Sequence, residues 1–126
     1  MPSKLIWEPG GAYWKYSGKI TGQEILNATS VIYGDSRFDD LKYKLVDFFD
    51  VESIEINNEE ITMIACKHRV ASQSNPYIKN AILVRQKQNI LANKFVTFFD
   101  DTPWSVQVFY DLDKANNWLG RIPSIQ

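Results

Sequence analysis

The nine residues 43–51, YKLVDFFDV, constrain what this chain can fold into more than any other stretch. Leu45, Val46, Phe48 and Phe49 make it almost continuously apolar, and only Asp47 breaks the run. A helical stripe and a strict strand alternation both fit it poorly. A β-strand covered on both faces fits better, and such strands belong to the interior of parallel sheets. The run ends in Asp50, Glu52 and Ser53. In open α/β sheets sites lie beyond the carboxyl ends of the strands, so functional residues are expected at this end. Asp47 is the local anomaly, because desolvating a lone carboxylate is costly. Its partner is expected to be a backbone amide, His68 or a tyrosine; otherwise it joins Asp50 as a ligand-facing pair.

The rest of the chain supplies the surroundings such a strand needs. Residues 5–7 and 12–16 read as two strands joined by Glu8-Pro9-Gly10-Gly11, which is good hairpin chemistry because glycine accepts the positive φ of the turn. Thr21-Gly22-Gln23-Glu24 is a capping box for a helix over residues 21–33, with Ile25, Ala28, Thr29 and Ile32 inward and Gly34 at its end. Residues 35–40 form a polar loop into the central strand. Asn57 or Asn58 caps a second helix that carries Ile61, Ile64, Ala65 and His68 on one face, and Asn75-Pro76 stops it. Residues 80–85 (NAILVR) are the next strand. A third helix from Gln88 or Asn89 turns Leu91, Phe95, Phe98 and Phe99 inward. Residues 104–110 (WSVQVFY) make a strand near an edge, and Asp111 or Asp113 caps a last helix ending at Gly120. Strands alternating with helices after the hairpin imply right-handed crossovers. The fold class is α/β: a mixed, mainly parallel sheet with an N-terminal antiparallel hairpin and about four helices.

A chain of 126 residues is read as one domain over residues 1–120, with 121–126 a loose C-terminal tail. Its net charge of −1 and its scattered Lys and Arg argue against nucleic acid as a partner. No apolar run is long enough for a signal peptide or a membrane span. The single cysteine, Cys66, rules out an internal disulfide and fits a reducing compartment, so the cytoplasm is expected.

Catalytic signatures are missing: there is no nucleophile elbow, phosphate loop or dinucleotide fingerprint. Cys66 and His68 lie two apart on a helix and do not point at a common ion, so no metal and no cofactor are expected. Lys67 beside Cys66 does not activate it, since adjacent helix positions do not face each other. His68, on an apolar face, reads as a packed and hydrogen-bonded residue. Arg85 and Lys87 read as a solvated pair at the sheet end.

Three local signatures carry a resemblance. They are residues 18–24 (GKITGQE), the Asp35-Ser36-Arg37-Phe38 loop before a strand ending in LVDFF, and the C-terminal VFYDLDKANNWL. With the order of elements, they resemble the SpoIIAA-like proteins, a group related to STAS domains and to bacterial anti-sigma factor antagonists. The resemblance covers nearly the whole chain and rests on structural motifs. It implies a non-enzymatic module that docks onto a partner. Anti-sigma antagonists are phosphorylated on a serine at the start of the helix after the central strand, where the helix N-terminus stabilises added charge. This chain departs from that pattern: Asp-Ser-x-Gly is missing, and Ser53, the nearest serine, is flanked by Glu52 and Glu55. Phosphorylation of Ser53 is not expected. The SpoIIAA-like group also resembles the CRAL-TRIO lipid-binding fold.

The leading expectation is therefore an interaction or regulatory module that binds a protein partner or itself, through the exposed side of the second helix and the loop 50–57. The alternative is a carrier of an apolar, lipid-like small ligand in a pocket between helices and sheet lined by Phe95, Phe98, Phe99 and Trp104. A third reading, a small enzyme using Asp47, Asp50 and His68, is the least favoured.

Overall fold

The computed structural model describes residues 3–100 and 102–122, with the side chains of Asn89, Leu91, Ala92 and Phe95 also left out of the description. Five strands form one sheet in the order β1 (Ser3–Glu8), β2 (Gly11–Thr21), β3 (Tyr43–Glu55), β4 (Lys79–Leu83) and β5 (Ser105–Phe109). β1 pairs antiparallel with β2 across the Pro9-Gly10 turn, where Gly10 has φ of 77°. β2–β3, β3–β4 and β4–β5 are all parallel. The sheet is thus mainly parallel with an N-terminal hairpin, as the sequence predicts.

Four α-helices are seen among the described residues: α1 (Gly22–Tyr33), α2 (Asn58–Ser74), α3 (Asn89–Thr97) and α4 (Leu112–Leu119). Thr21 caps α1 by accepting from the Glu24 amide, and Asn57 closes a full capping box with Glu60 on α2. Asp111 caps α4, and Gly120 ends it at φ of 70°. The predicted polar loop before β3 is a short 3₁₀ turn, Ser36–Asp40, capped by Asp35.

Neighbouring parallel strands joined each time by one helix place every crossover on the same side of the sheet, given a constant right hand. The packing agrees. Trp14, Tyr16, Val46, Phe48 and Ile82 on one sheet face share a core with Ile25 and Ile32 of α1, Ile64 of α2, and Phe98 and Phe99 after α3. The opposite face has α4 alone, which packs Ala115 and Trp118 on Leu45, Ala81, Leu83 and Phe109.

This one-sided layering corrects the reading of the central strand. β3 is sandwiched at Leu45 (0% exposed) and at Asp47 (4% exposed), but Phe49 is 37% exposed. An eight-residue helix is only about 12 Å long and packs over β4 and β5, so it leaves the carboxyl end of β3 open. The expected loop at 50–57 is also shorter than predicted, because the strand continues to Glu55. Pairing with the similarly extended β2, which runs to Thr21 opposite Glu55, sustains it, through register shifts around Ser17 and Gly18, with Gly18 at φ of 70°. The loose tail does not begin at Arg121, whose guanidinium is clamped to Glu8; residues 123–126 lie outside the description.

Candidate functional site

The strand alternation of β3 creates two separate polar clusters. Lys44, Val46 and Phe48 point to the three-helix layer, while Leu45, Asp47 and Phe49 point to the α4 side.

On the helix side, Lys44 is buried inside an aromatic shell. Its ammonium lies 4.7 Å from the ring centroids of Tyr33 and of Trp104, and 5.5 Å from that of Phe99. Lys44 Nζ donates to the Tyr33 hydroxyl at 2.5 Å, and that hydroxyl lies 2.6 Å from His68 Nδ1. His68 stacks on Phe99 at a centroid distance of 4.3 Å. Among the described residues no carboxylate comes within ion-pair distance of Lys44. Burial therefore pushes its amine down to about 7. His68 is held well below its usual range, first by burial and then by the Lys44 charge. Tyr33 is pushed well above its usual range, chiefly by burial of its hydroxyl.

These groups border a cavity of about 50 Å³ whose other walls are largely apolar, including Trp14, Ile64, Phe98 and Phe99. Next to Lys44 in the β3–β4 register stands Asn80, 0% exposed, whose amide oxygen and nitrogen have no hydrogen-bond partner among the described residues. The Trp14 indole nitrogen, on the cavity wall, has none either. Outside, a groove of about 460 Å³ runs between α1 and α2, past Ser30, Asp39, Cys66, Lys67 and Val70. Tyr33 lines both the groove and the inner cavity.

On the α4 side, Asp47 accepts from the Tyr13 hydroxyl at 2.6 Å and from the Phe49 backbone amide at 2.8 Å. Of the partners expected from sequence, a tyrosine and a backbone amide are the ones found. Asp50 is exposed and bridges Lys15 at 2.9 Å and Arg85 at 3.4 Å. The hydrogen bond from Lys15, followed by its charge, lowers the Asp50 carboxyl. Arg85 is therefore ion-paired rather than simply solvated, and its guanidinium also covers the Phe49 ring at 4.7 Å. Tyr13, Lys15, Asp47 and Phe49, together with Tyr110 and Leu112, edge an open hollow of about 450 Å³ at the carboxyl end of the sheet.

The fold does not bring Asp47 and Asp50 to His68: the sheet separates them. Phe99 and Trp104 lie against His68, and Phe98 borders the same cavity, while the Phe95 side chain lies outside the described residues. Ser53 lies exposed within β3, not at a helix N-terminus. Cys66 is exposed on α2. Sequence reasoning missed Lys44, Tyr33 and Asn80. The signal for Lys44 was available, since it is spaced by twos with the apolar Val46 and Phe48 and so must face inward with them. Among the described residues no three His, Cys, Asp or Glu side chains converge as metal ligands, and no helix is long and apolar enough to cross a membrane.

No protein-family profile and no curated protein matches the sequence. Solved structures do match. An anti-sigma factor antagonist from Mycobacterium paratuberculosis superposes with a TM-score of 0.61 at 13% identity, over 94% of this chain and 92% of that one. The anti-sigma factor antagonist SpoIIAA in its unphosphorylated form gives a TM-score of 0.60 at 9% identity, over 95% and 99%. An uncharacterised DUF3478 protein with a SpoIIAA-like fold from Shewanella loihica gives 0.56 at 16% identity, over 93% and 91%. With its hairpin, its parallel strands and its helices in the same order along nearly the whole length, the chain has the SpoIIAA-like fold.

Proposed function

We propose that this chain is an interaction module that docks a protein partner, or a second copy of itself, through the outer face of α2. One observation carries this reading. α2 has two apolar stripes, not one: Ile64, His68 and Ala71 face the core, while Met63, Cys66 and Val70 face solvent. Met63 is 48% and Val70 58% exposed, and Val31 on neighbouring α1 is 60% exposed. A second apolar stripe at helical spacing serves no core and fits a partner surface. Solved proteins of this fold that bear the name anti-sigma factor antagonist support the same reading by analogy.

The test is a photo-cross-linking residue at Val70 in expressing cells, compared with one at exposed Asn117 on α4. Discrete adducts are expected from position 70 only, with their mass telling a dimer from a heterologous complex, and Val70→Glu should abolish binding of the partner so found. Equal cross-linking from both positions would overturn the proposal. A carrier of lipid-sized cargo fits less well, because the cavity of about 50 Å³ has room for only a few heavy atoms.

A further inference from the structure

We propose that Lys44 is an imine-forming lysine whose cavity admits a small aldehyde or ketone of two to four carbons. This goes beyond docking on α2 and stands on separate observations: a buried primary amine without a counter-charge among the described residues, an adjoining cavity, and a hydrogen-bonded relay.

A lysine whose only role is solubility stands at the surface, and one that stabilises a core pairs with a carboxylate. Lys44 does neither. It is 5% exposed, has no carboxylate within ion-pair distance among the described residues, and its one hydrogen bond goes to a neutral phenol. Desolvation in an apolar pocket is one of the ways proteins turn a lysine into a nucleophile, because it favours the uncharged amine. The surroundings agree, with Tyr33, Phe99 and Trp104 around the nitrogen and His68 behind Tyr33.

The chemistry balances within the site. The neutral Nζ adds its lone pair to the carbonyl carbon, and a carbon–nitrogen bond forms as the carbonyl π bond opens. A proton passes from nitrogen to oxygen to give the carbinolamine. Loss of the hydroxyl as water then leaves a carbon–nitrogen double bond, with nothing oxidised or reduced. The Tyr33 hydroxyl, hydrogen-bonded to Lys44 on one side and His68 on the other, is placed to relay these protons. Size sets the ligand class. A volume of about 50 Å³ corresponds to roughly three or four water-sized units, which suits a short-chain carbonyl and excludes an aromatic aldehyde bearing phosphate. Tyr33 borders both the cavity and the groove between α1 and α2, so it stands between the amine and that groove.

The experiment treats the full chain at pH 7 with acetaldehyde and cyanoborohydride, which traps imines, and maps ethylated lysines by peptide mass spectrometry over time. Lys44 is expected to be modified at least about tenfold faster than any surface lysine, because an ordinary lysine amine is almost wholly protonated at this pH. Pyridoxal phosphate should show no preference for Lys44. Tyr33→Phe should slow ethylation at Lys44 and leave the other lysines unchanged. A Lys44 that stays unmodified, or reacts no faster than the surface lysines, overturns the proposal. Fast labelling of Lys44 by pyridoxal phosphate overturns the size limit, and an unchanged rate in Tyr33→Phe removes the relay. The wild-type time course decides the central point even if a variant fails to fold.

Discussion

Arg121 and Glu8, 113 residues apart, meet in a two-pronged ion pair at the edge of the sheet, with Nε to Oε1 at 2.8 Å and Nη2 to Oε2 at 2.7 Å. Both side chains are buried, 6% and 7% exposed, and the Tyr43 hydroxyl donates to the same carboxylate. The segment just after α4 is thereby tied to the end of β1. Burial alone would raise the Glu8 carboxyl, but the hydrogen bonds from Arg121 and Tyr43 and the Arg121 charge outweigh it and hold the group below its usual range.

Removing one partner of such a pair strands the other. Arg121→Ala is expected to cost about 3–5 kcal/mol in urea unfolding. Because Glu8 binds its proton less tightly when folded, its contribution is present above the ordinary carboxyl range and is lost as pH falls through the folded value. The gap between wild type and Arg121→Ala should therefore narrow on acidification below about pH 4. A constant gap would mean that the arginine acts through packing alone.

Asp47 is satisfied within the fold, by Tyr13 and the Phe49 amide. Asp47→Ala should lower stability by about 1–3 kcal/mol, since it leaves a half-buried hydroxyl and an amide without their acceptor. Tyr13→Phe in the Asp47→Ala background should cost little more. An unchanged melting temperature in Asp47→Ala would show that the carboxylate is not structural.

Lys44 weakens the fold it sits in. Lys44→Met keeps the stem and removes the buried charge, so it is expected to stabilise by about 1–4 kcal/mol at pH 6. The sign with pH follows from the lowered amine. Unfolding takes up a proton between about pH 7 and the ordinary lysine value of 10.5, so wild-type stability rises across that window and the penalty is complete below it. The titratable groups facing Lys44 are Tyr33 from α1 and His68 from α2. The gain from Lys44→Met should be largest at pH 6 and shrink by pH 9. A destabilised Met variant would show that the ammonium is paid for elsewhere in the structure.

Asn80 offers a second such trade. With neither amide atom partnered among the described residues, Asn80→Leu should stabilise by about 1–3 kcal/mol in chemical unfolding. A loss of stability would show that the amide is bound in the folded protein.

How much of this was legible in the residues depends on the range of the interaction. The caps at Thr21, Asn57 and Asp111, the stop at Asn75-Pro76 and the hairpin at Gly10 are contacts within a few residues, and the structure has each of them. The strand character of LVDFF and the order of elements were likewise readable, because burial pattern and length are properties of the local sequence. The continuation of β3 to Glu55 was not, since Glu52, Ser53 and Glu55 do not favour a strand and only pairing with β2 keeps them in one.

The candidate sites divide in the same way. Sequence alone marked Asp47 and His68 as polar groups in apolar surroundings and assigned Phe95, Phe98, Phe99 and Trp104 to a pocket between helices and sheet. Which face of the sheet each occupies, and therefore that Asp47 meets Tyr13 while His68 meets Tyr33 and Lys44, was decided by the tertiary structure. The physical reason is geometric. Sequence spacing fixes which side chains share a face of one element, but the partner of a buried charge is set by how elements far apart in the chain are packed, and three helices here fall on one side of the sheet with a single short one on the other.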